Sequence, residues 1–595
     1  MSQATPAAPA ADLPVKNLGF ETWEEGRPQG WHVGNAKAYR VSADCADAPE
    51  GKCSARLESL AGEAVTFVPL VQNMPSRHAA GHFIQLSGMI RTENVVGHAG
   101  LWLRVDAADR PNIVLENMRR TGPRGTTPWQ RFSITVPVAP DTSNVGFGVL
   151  LSGTGIAWFD DLRLTVDRET KVEPEVPVAL PPRPRPDSAL RNDAALALHG
   201  DEVPQAKAEW VEDVRGRAHP IRSLFSDDFS DLRFLAPLLE GRRVVQLGES
   251  GHGVAEFNWL KARLIRYLHR ELGYDVIAFE SSLSGCDVAD GLVVAAPAME
   301  VMRQCVFGVW HSTETLGVFE YLEATRKAGR RLTLAGFDIQ NSGTARTEVA
   351  RRLVALADAV SPELGRAIES HERRLGGQIT REEADHMSRA YLALAKGLED
   401  SRDRLGAAGT SPRAIDLAIQ ESRSRSRLVH MAVYGRPTFE SHRIRDEGMA
   451  ENLDFLLDRL HPGRKVIVWA HNTHIARHDE GFGQPHWMGS WVDRRRGREV
   501  YTIGIYMGRG AAAHNHRRHY AIAAPPADSL EAVLANARMR MSFVDFSRVL
   551  PARGNEWMFE PIIARSWGLY PMKVRAAKAY DGVIYVDTVT PPEYR

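Results

Sequence analysis

Cysteine is scarce in this sequence, and neither sign of charge is in excess. The 595 residues include four cysteines, Cys45, Cys53, Cys286 and Cys305, and no C-x-x-C motif, which excludes a disulfide-dense scaffold and a thiolate metal cluster. Lysine plus arginine and aspartate plus glutamate each number 74, so the chain lacks the cation surplus of a general nucleic-acid binder. Cys45 and Cys53 could form a disulfide if the protein is exported, or remain two thiols.

Long hydrophobic runs are also missing. No uninterrupted apolar run reaches the length of a bilayer-spanning helix, so no membrane span is predicted. Residues 1–15 lack a basic start and an apolar stretch, and therefore do not form an intact signal peptide. Their Ala/Pro-rich composition predicts a disordered N-terminus and resembles the start of a mature exported protein, which favours a periplasmic or secreted location over a cytoplasmic one. The hydrophobic fraction of 43% still predicts a chain that folds around cores.

A proline-rich segment, Lys171 to Ser188, divides the chain. Proline fixes φ and removes a donor, so this stretch predicts an extended spacer. We therefore expect a β-sandwich module over 16–168, a linker over 169–190 and a larger domain over 191–595.

The first module alternates apolar and polar residues with a period of two, and turn residues separate the alternating runs. This pattern is typical of half-buried strands in an antiparallel sandwich. The motifs at Asn17, at Trp31 and at Trp158 resemble jelly-roll modules attached to carbohydrate-active enzymes, which would make a glycan a partner. Trp31 or Trp102 could stack on a sugar, although a sandwich tryptophan is more often core. The alternating apolar positions are Ile84, Leu86, Ile90, Leu101, Leu103, Val105, Phe132, Ile134, Val136, Leu162, Leu164 and Val166.

The second part changes period. Four short apolar runs alternate with helical patterns, which predicts an α/β domain with a mostly parallel sheet buried on both faces. A helix-rich insertion is expected between the third and fourth runs, at about 345–445. The four runs are Arg242 to Glu249, Tyr274 to Glu280, Arg331 to Asp338 and Arg464 to His471.

Each of these four runs ends in a polar residue: Glu249, Glu280, Asp338 or His471. In an open parallel sheet, ligands bind beyond the carboxyl ends of the strands. If the four strands are neighbours, the four side chains converge on one crevice, which we predict to be the active site.

Two pairs of side chains stand three residues apart at these strand ends. Glu249 and His252 lie in a glycine-rich strand-to-helix turn, and a carboxylate beside a histidine fixes its tautomer as a general base requires. His471 and His474 follow the fourth strand in the same way. Arg445 lies on a helical pattern just before that strand and could bind a carboxylate or an anionic intermediate.

Three other chemistries can be compared with these residues. Around Ser250 the sequence fails the G-x-S-x-G nucleophile elbow because His252 takes the last glycine position, so a serine hydrolase is disfavoured but stays testable. The same acids and histidines are ligand types for a hydrolytic metal, which spacing alone cannot exclude, although H-E-x-x-H is absent. Neither G-x-G-x-x-G nor a P-loop occurs, so no nucleotide cofactor is predicted.

Five ordered motifs, together with Tyr580-Asp-Gly-Val-Ile-Tyr585, resemble the erythromycin esterase family from about Arg242 to the C-terminus. The resemblance implies hydrolysis of a carboxylic ester or a macrolide-like lactone without a metal or other cofactor. The motifs are Leu-Gly-Glu249-x-x-His252-Gly, Phe-Glu280, Gly-Phe-Asp338-x-Gln340, Arg445-Asp446-x-x-Met-Ala-x-Asn and Trp-Ala-His471-Asn-x-His474.

The resemblance also implies residue roles. His252 would activate water, Glu249 and Glu280 would orient it and the water, and His471 and His474 would bind or polarise the carbonyl. Substrate-binding roles are further expected for Arg445, Asp338, Lys261 and His311. Lys261 stands where some members carry arginine, and His311 follows an aromatic where arginine is expected, which leaves the physiological substrate open.

The sequence therefore predicts an ester or lactone hydrolase with a small-molecule substrate and no nucleic-acid partner. Two alternatives are a metal-dependent hydrolase that uses the same cluster and a glycan-binding envelope protein with an inactive catalytic half.

Overall fold

The computed structural model divides the chain into two compact units, Met1–Ala179 and Leu180–Arg595. The predicted disordered N-terminus, apart from its last three residues, and most of the predicted linker lie outside the described part of the chain. No helix within that part is both long and apolar enough to cross a bilayer. The structure describes residues 13–34, 38–60, 67–107, 114–119, 121–140, 142–171, 180–181, 183–184, 203–375, 379–434, 438–478, 480 and 486–595.

The first unit is an antiparallel β-structure, as predicted. Its two longest strands, β7 and β10, pair with each other over most of their length and with several shorter strands, which joins eight strands into one hydrogen-bonded sheet. The specific jelly-roll arrangement stays a prediction. The strands are β1 (Trp23–Glu24), β2 (Arg27–Pro28), β3 (His32–Val33), β4 (Tyr39–Asp44), β5 (Ser54–Ser59), β6 (Phe67–Pro75), β7 (His82–Ala107), β8 (Val114–Glu116), β9 (Gly125–Val138) and β10 (Thr142–Lys171).

The alternating apolar positions of this unit face its core. All twelve lie in or against one hydrophobic cluster. Trp31 belongs to that cluster and packs against Phe147. Trp102 is also buried, and a Cβ added at Gly146 would lie 3.4 Å from its ring. Both tryptophans are therefore packing residues, and neither offers an exposed stacking surface for a sugar.

The second unit is built on a mixed, mostly parallel sheet. The strand order is β11-β18-β21-β16-β12-β15-β13-β14, with β17 paired to β16. The four predicted strands β12, β15, β13 and β14 are consecutive and parallel in this order. The strands are β11 (His219–Pro220), β12 (Val244–Leu247), β13 (Val276–Ser282), β14 (Thr333–Asp338), β15 (Val466–Trp469), β16 (Val500–Ala513), β17 (His519–Ile522), β18 (Met541–Asp545) and β21 (Gly582–Val589); a separate hairpin pairs β19 (Ile562–Ser566) with β20 (Tyr570–Val574).

Helices cover the sheet because each presents an apolar stripe to it. Two hydrophobic clusters, one on each face, enclose the β-branched and aromatic side chains of the strands. Helices α7 to α12 lie between β14 and β15; α7 to α11 share a further apolar cluster, whereas α12 packs on the sheet through Met449, Ala450 and Leu453. The helices are α1 (Ala208–Arg217), α2 (Leu235–Leu238), α3 (Ala255–Leu272), α4 (Leu283–Leu292), α5 (Ala298–Cys305), α6 (Thr313–Lys327), α7 (Arg346–Val360), α8 (Pro362–Arg374), α9 (Arg381–Asp400), α10 (Arg402–Ala407), α11 (Pro412–Ala432), α12 (Phe439–Phe455), α13 (Asn472–Ile475), α14 (Met488–Arg496), α15 (Leu530–Ala535), α16 (Glu556–Phe559) and α17 (Ala576–Ala579).

All four cysteines are paired. Cys45 bonds to Cys53, which was one of the two expectations, and Cys286 of α4 bonds to Cys305 at the end of α5, a pair that the sequence did not suggest. A Cβ at Gly336 would lie 2.8 Å from the sulfur of Cys286, so glycine in β14 makes room for the bridge. Disulfides of this kind are typical of proteins that fold in an oxidising compartment.

We expect no thiol to react with iodoacetamide when the protein is denatured without reductant, because all four cysteines are paired. Mass spectrometry before and after reduction measures this. The double change Cys286→Ser and Cys305→Ser should cost about 2–4 kcal/mol of stability, since the bridge restricts the unfolded chain. Alkylation of Cys286 and Cys305 in the unreduced protein would contradict the pairing.

Candidate functional site

The ends of four adjacent strands bring the candidate residues together. Because β12, β15, β13 and β14 run in parallel, Glu249, His471, Glu280 and Asp338 all lie at the same edge of the sheet. The turn after β12 requires glycine, since a Cβ at Gly248 would lie 2.0 Å from the Asn472 side-chain oxygen. The predicted convergence on one crevice is therefore what the strand order produces.

Glu249 is fully buried, and three donors surround its carboxylate. Its Oε1 accepts from His252 Nδ1 at 2.5 Å and from the indole N–H of Trp310 at 3.1 Å, while its Oε2 accepts from Lys261 Nζ at 2.6 Å. Burial alone would raise the pKa of Glu249, but Lys261 and His252 outweigh burial and hold that pKa below its usual range. The carboxylate is thus kept ionised.

The hydrogen bond to Glu249 fixes the orientation of His252. An ionised carboxylate can only accept, so His252 Nδ1 carries the proton and Nε2 is the nitrogen that can accept one. The imidazole stands edge-on to Trp310 at 5.1 Å and to Trp567 at 5.3 Å between ring centroids, and its side chain is 14% exposed. An accepting nitrogen at a partly open, aromatic-lined position is the arrangement of a general base.

His471 has the complementary arrangement. As the first residue before α13, it accepts a hydrogen bond at Nδ1 from the backbone N–H of Thr473. The neutral ring therefore carries its proton on Nε2, which makes that nitrogen a donor. The rings of His252 and His471 lie 5.2 Å apart between centroids. An imidazole with an accepting nitrogen and one with a donating nitrogen therefore lie side by side.

A second charge cluster is centred on Arg445 of α12. The guanidinium donates to Glu280 Oε1 at 2.8 Å and contacts both oxygens of Asp338, at 2.5 Å for the closest pair. Burial would raise the pKa of Glu280, but His474 and Arg445 lower it well below the usual range. The other oxygen of Glu280 accepts from the backbone N–H of His471 at 2.9 Å, which ties this cluster to the histidine.

His474 lies between acids. Its Nδ1 contacts Asp446 Oδ1 at 2.7 Å, and its Nε2 lies 3.3 Å from Glu280 Oε1 and 3.2 Å from Arg445. Burial lowers the pKa of His474, yet Asp446 and Glu280 outweigh burial and raise that pKa above its usual value. His474 therefore has a stronger tendency to carry positive charge than an ordinary histidine.

The structure changes the place of three expected residues. Lys261 is fully buried behind Glu249, and Asp338 is 1% exposed and held by Arg445, so we assign both to positioning rather than to substrate contact. His311 is half-buried, and its Nε2 contacts the Val306 carbonyl at 3.0 Å instead of the cluster. Its expected substrate-binding role stays a prediction.

Three residues of the site were not among the predicted site residues. Trp310 is the aromatic residue that precedes His311 in the sequence. Its hydrogen bond to Glu249 depends on tertiary packing. Asp446 belongs to the motif that begins at Arg445. Its position next to Arg445 was the available sequence signal for its role. Trp567 stacks on His471 with an interplanar angle of 27°, and no pattern near it indicated this.

A family model described as "Erythromycin esterase" matches residues 269–589, more than half of the chain. The chain belongs to the erythromycin esterase family. The resemblance stated from the sequence is therefore confirmed.

Individual relatives agree with this membership. "Putative hydrolase YbfO" of Bacillus subtilis (strain 168) is 29% identical over 412 residues, which cover 64% of this chain and 91% of that protein. "Erythromycin esterase type II" of Escherichia coli is 23% identical over 420 residues, which cover 64% and 97%. A solved Bacillus cereus protein shares the fold at a TM-score of 0.56 and 18% identity, covering 65% of this chain and 98% of that one.

The His474→Gln variant should show how the raised pKa of His474 contributes to stability. A raised folded-state pKa stabilises the protein below the ordinary value of 6.5 and loses that contribution as pH rises through the folded pKa. We expect the wild-type melting temperature to exceed that of His474→Gln most at pH 6 and by a shrinking margin above pH 6.5. The exposed His519→Gln is the control, and a margin that grows with pH would contradict the assignment.

Proposed function

We propose that this member of the family hydrolyses a carboxylic ester or lactone with a water molecule activated by His252. One observation carries the proposal: Glu249 fixes His252 with an accepting Nε2, and the ring of His471, whose Nε2 is a donor, lies 5.2 Å away between centroids. A general base beside a hydrogen-bond donor suits the addition of water to a carbonyl group.

In the proposed step, His252 Nε2 takes a proton from water while the water oxygen forms a bond to the carbonyl carbon. The carbonyl π bond breaks, and its oxygen becomes an oxyanion. Collapse re-forms the carbonyl and breaks the bond to the alcohol oxygen, which takes the proton from His252. The products are an acid and an alcohol, or one hydroxy acid from a lactone, and one water is consumed.

The charged groups around His471 and His474 suit the developing oxyanion. His471 Nε2 is a hydrogen-bond donor, and Asp446 and Glu280 favour the positively charged form of His474 by raising its pKa. General-base assistance typically contributes about 10²–10⁴-fold, and oxyanion donors contribute a comparable factor each. Arg445 holds Glu280 in place and is 14% exposed at its side chain, so it can also contact substrate.

A metal-dependent reaction at the same cluster is the weaker alternative. The donor set supports the metal-free reaction, because Glu249 is already paired with Lys261, and Glu280 and Asp338 are already paired with Arg445. A divalent cation at these carboxylates would have to displace buried cations of the protein itself. A glycan-binding role with an inactive catalytic half is also weaker, since the aligned base and donor are what a hydrolase needs.

The substrate is proposed to be a macrolide-like lactone or another ester of an apolar alcohol or acid. The names of the Escherichia coli relatives support the lactone, and the aromatic walls beside His252 support an apolar substrate. Incubation with a panel of lactones and esters, followed by mass spectrometry for the addition of one water, tests this.

We expect His252→Gln to lower kcat by about 10²–10⁴-fold, because the base is lost while the shape of the site is retained. Initial rates on the best ester of the panel measure the loss, and the melting temperature checks the fold. His519→Gln, an exposed histidine, is the control that should keep full rate. Near-wild-type activity of His252→Gln would reject the base assignment.

Ser250→Ala should keep most of the activity. The Ser250 hydroxyl is buried, and no described residue hydrogen-bonds to it, so none of them activates it as a nucleophile. Steady-state rates and intact-protein mass spectrometry after rapid quenching are the measurements. Loss of activity together with a trapped acyl-enzyme would restore the serine mechanism.

Dialysis against a chelator should leave the ester hydrolysis rate unchanged, since the carboxylates of the site are paired with Lys261 and Arg445. Elemental analysis of the same dialysed protein is the control, because it measures the metal that remains bound. A rate that falls with chelation and returns with a stoichiometric divalent cation would favour the metal-dependent alternative.

A further inference from the structure

Trp567 has a backbone conformation that its side chain disfavours. It lies at the tip of the β19–β20 hairpin with φ at 61°, and Gly568 follows with φ at 69°. Positive φ is a genuine outlier for a bulky residue, and hairpin tips with two consecutive left-handed residues strongly prefer asparagine, aspartate or glycine at the first. The sequence thus places tryptophan where local preferences oppose it.

Both backbone polar groups of Trp567 are held in this conformation. Its N–H donates to the carbonyl of Ser250 at 2.5 Å, and its carbonyl accepts from the hydroxyl of Tyr520 at 2.8 Å. Ser250 is the residue next to Glu249, so the first bond fastens the hairpin tip to the site. Strain that neighbouring structure enforces in this way is typical of functional positions.

The indole of Trp567 contacts both imidazoles of the proposed reaction. It stands edge-on to His252 at 5.3 Å, and it lies nearly parallel to His471 at 6.0 Å between ring centroids. Its side chain is partly exposed, unlike that of Trp310. The exposed part of Trp567 is therefore a surface that a substrate can contact while its carbonyl lies against the two histidines.

The rings near this surface are aromatic or imidazole: Trp310 also stands against His252, and His514, whose pKa burial lowers, lies 6.2 Å from Trp567 between ring centroids. The charged residues around His474 are paired with one another. A substrate part that packs on Trp567 thus meets an aromatic face and no unpaired charge from that cluster. Such a surface favours an aliphatic or aromatic ring over a charged or small polar group.

We propose that Trp567 is a specificity-determining residue that binds an apolar ring in the non-reacting part of the ester. The inference rests on the proposed function and deepens it, because it names the substrate class as esters with a ring next to the reacting carbonyl group. The strained backbone places the indole where the ring packs and shields both imidazoles from bulk water.

The test compares three esters by acid release: methyl acetate, methyl cyclohexanecarboxylate and cyclohexyl acetate. Selectivity is kcat/KM for the better cyclohexyl ester divided by kcat/KM for methyl acetate. We expect Trp567→Ala to lower this selectivity by about tenfold and Trp567→Phe to retain most of it, because phenylalanine keeps an aromatic face. Leu569→Ala, at an exposed residue of the same hairpin tip, is the matched control and should leave selectivity unchanged.

Two other results would contradict the proposal, and they can be told apart. Unchanged selectivity in Trp567→Ala, or equal losses on all three esters, would overturn the specificity role, since the indole would then be irrelevant or would only support the histidines. Wild-type protein that hydrolyses none of the three and none of the wider panel would overturn the proposed function and this inference with it.

A stability comparison tests the backbone argument independently of activity. Trp567→Gly and Trp567→Ala both remove the indole, but only glycine adopts the left-handed conformation without steric cost. Trp567→Gly should therefore melt at a higher temperature than Trp567→Ala while showing the same loss of selectivity. An alanine variant as stable as the glycine variant would show that the backbone at this position is unstrained. Backbone strain would then no longer support the proposed role of Trp567.

Discussion

The ion pair between Glu249 and Lys261 is the interaction on which the rest of the site depends. Two full charges with no solvent exposure are costly unless each satisfies the other, and here Nζ and Oε2 are 2.6 Å apart. Lys261 also lies 4.4 Å from the centroid of the Trp469 ring, which adds a cation–π contact. Burial lowers the pKa of Lys261 to about 8, so its charge depends on Glu249 as much as Glu249 depends on it. Without this pair, the carboxylate could not stay ionised and orient His252.

Two histidine–carboxylate pairs serve the same crevice, and the surrounding charges give them different properties. His252 faces one carboxylate, and that carboxylate shares its charge with Lys261. His474 faces two carboxylates, Asp446 and Glu280, with Arg445 beside it. The first arrangement fixes the orientation of the His252 ring, and the second raises the pKa of His474. The division of labour in the proposed reaction thus follows from the count of charges around each ring.

Sequence patterns anticipated the part of this structure that is encoded locally. Each of the four buried strands reads as a short apolar run ended by a polar residue, so Glu249, Glu280, Asp338 and His471 could be found from the pattern and the rule for parallel sheets. The order of the strands and the partner of each carboxylate could not, because Lys261 and Trp310 meet Glu249 only after α3 and the segment before α6 pack on the sheet. The Cys286–Cys305 disulfide could not be predicted for the same reason, because nothing in the local sequence of either cysteine indicates its partner.

Trp567 shows why a site residue can be hidden from sequence patterns and visible in the backbone. Local preference at a hairpin tip selects for small or polar residues, so a tryptophan there lowers the agreement between sequence and fold. Natural proteins keep such disagreements mainly where function requires them. In this chain the disagreement coincides with contacts to both proposed catalytic imidazoles, and the hydrogen bonds from Trp567 to Ser250 and from Tyr520 to Trp567 hold it in place. The hairpin that carries it adds no strand to the main sheet; its Ile562, Ala564 and Val574 pack in the core, and its tip places this indole ring.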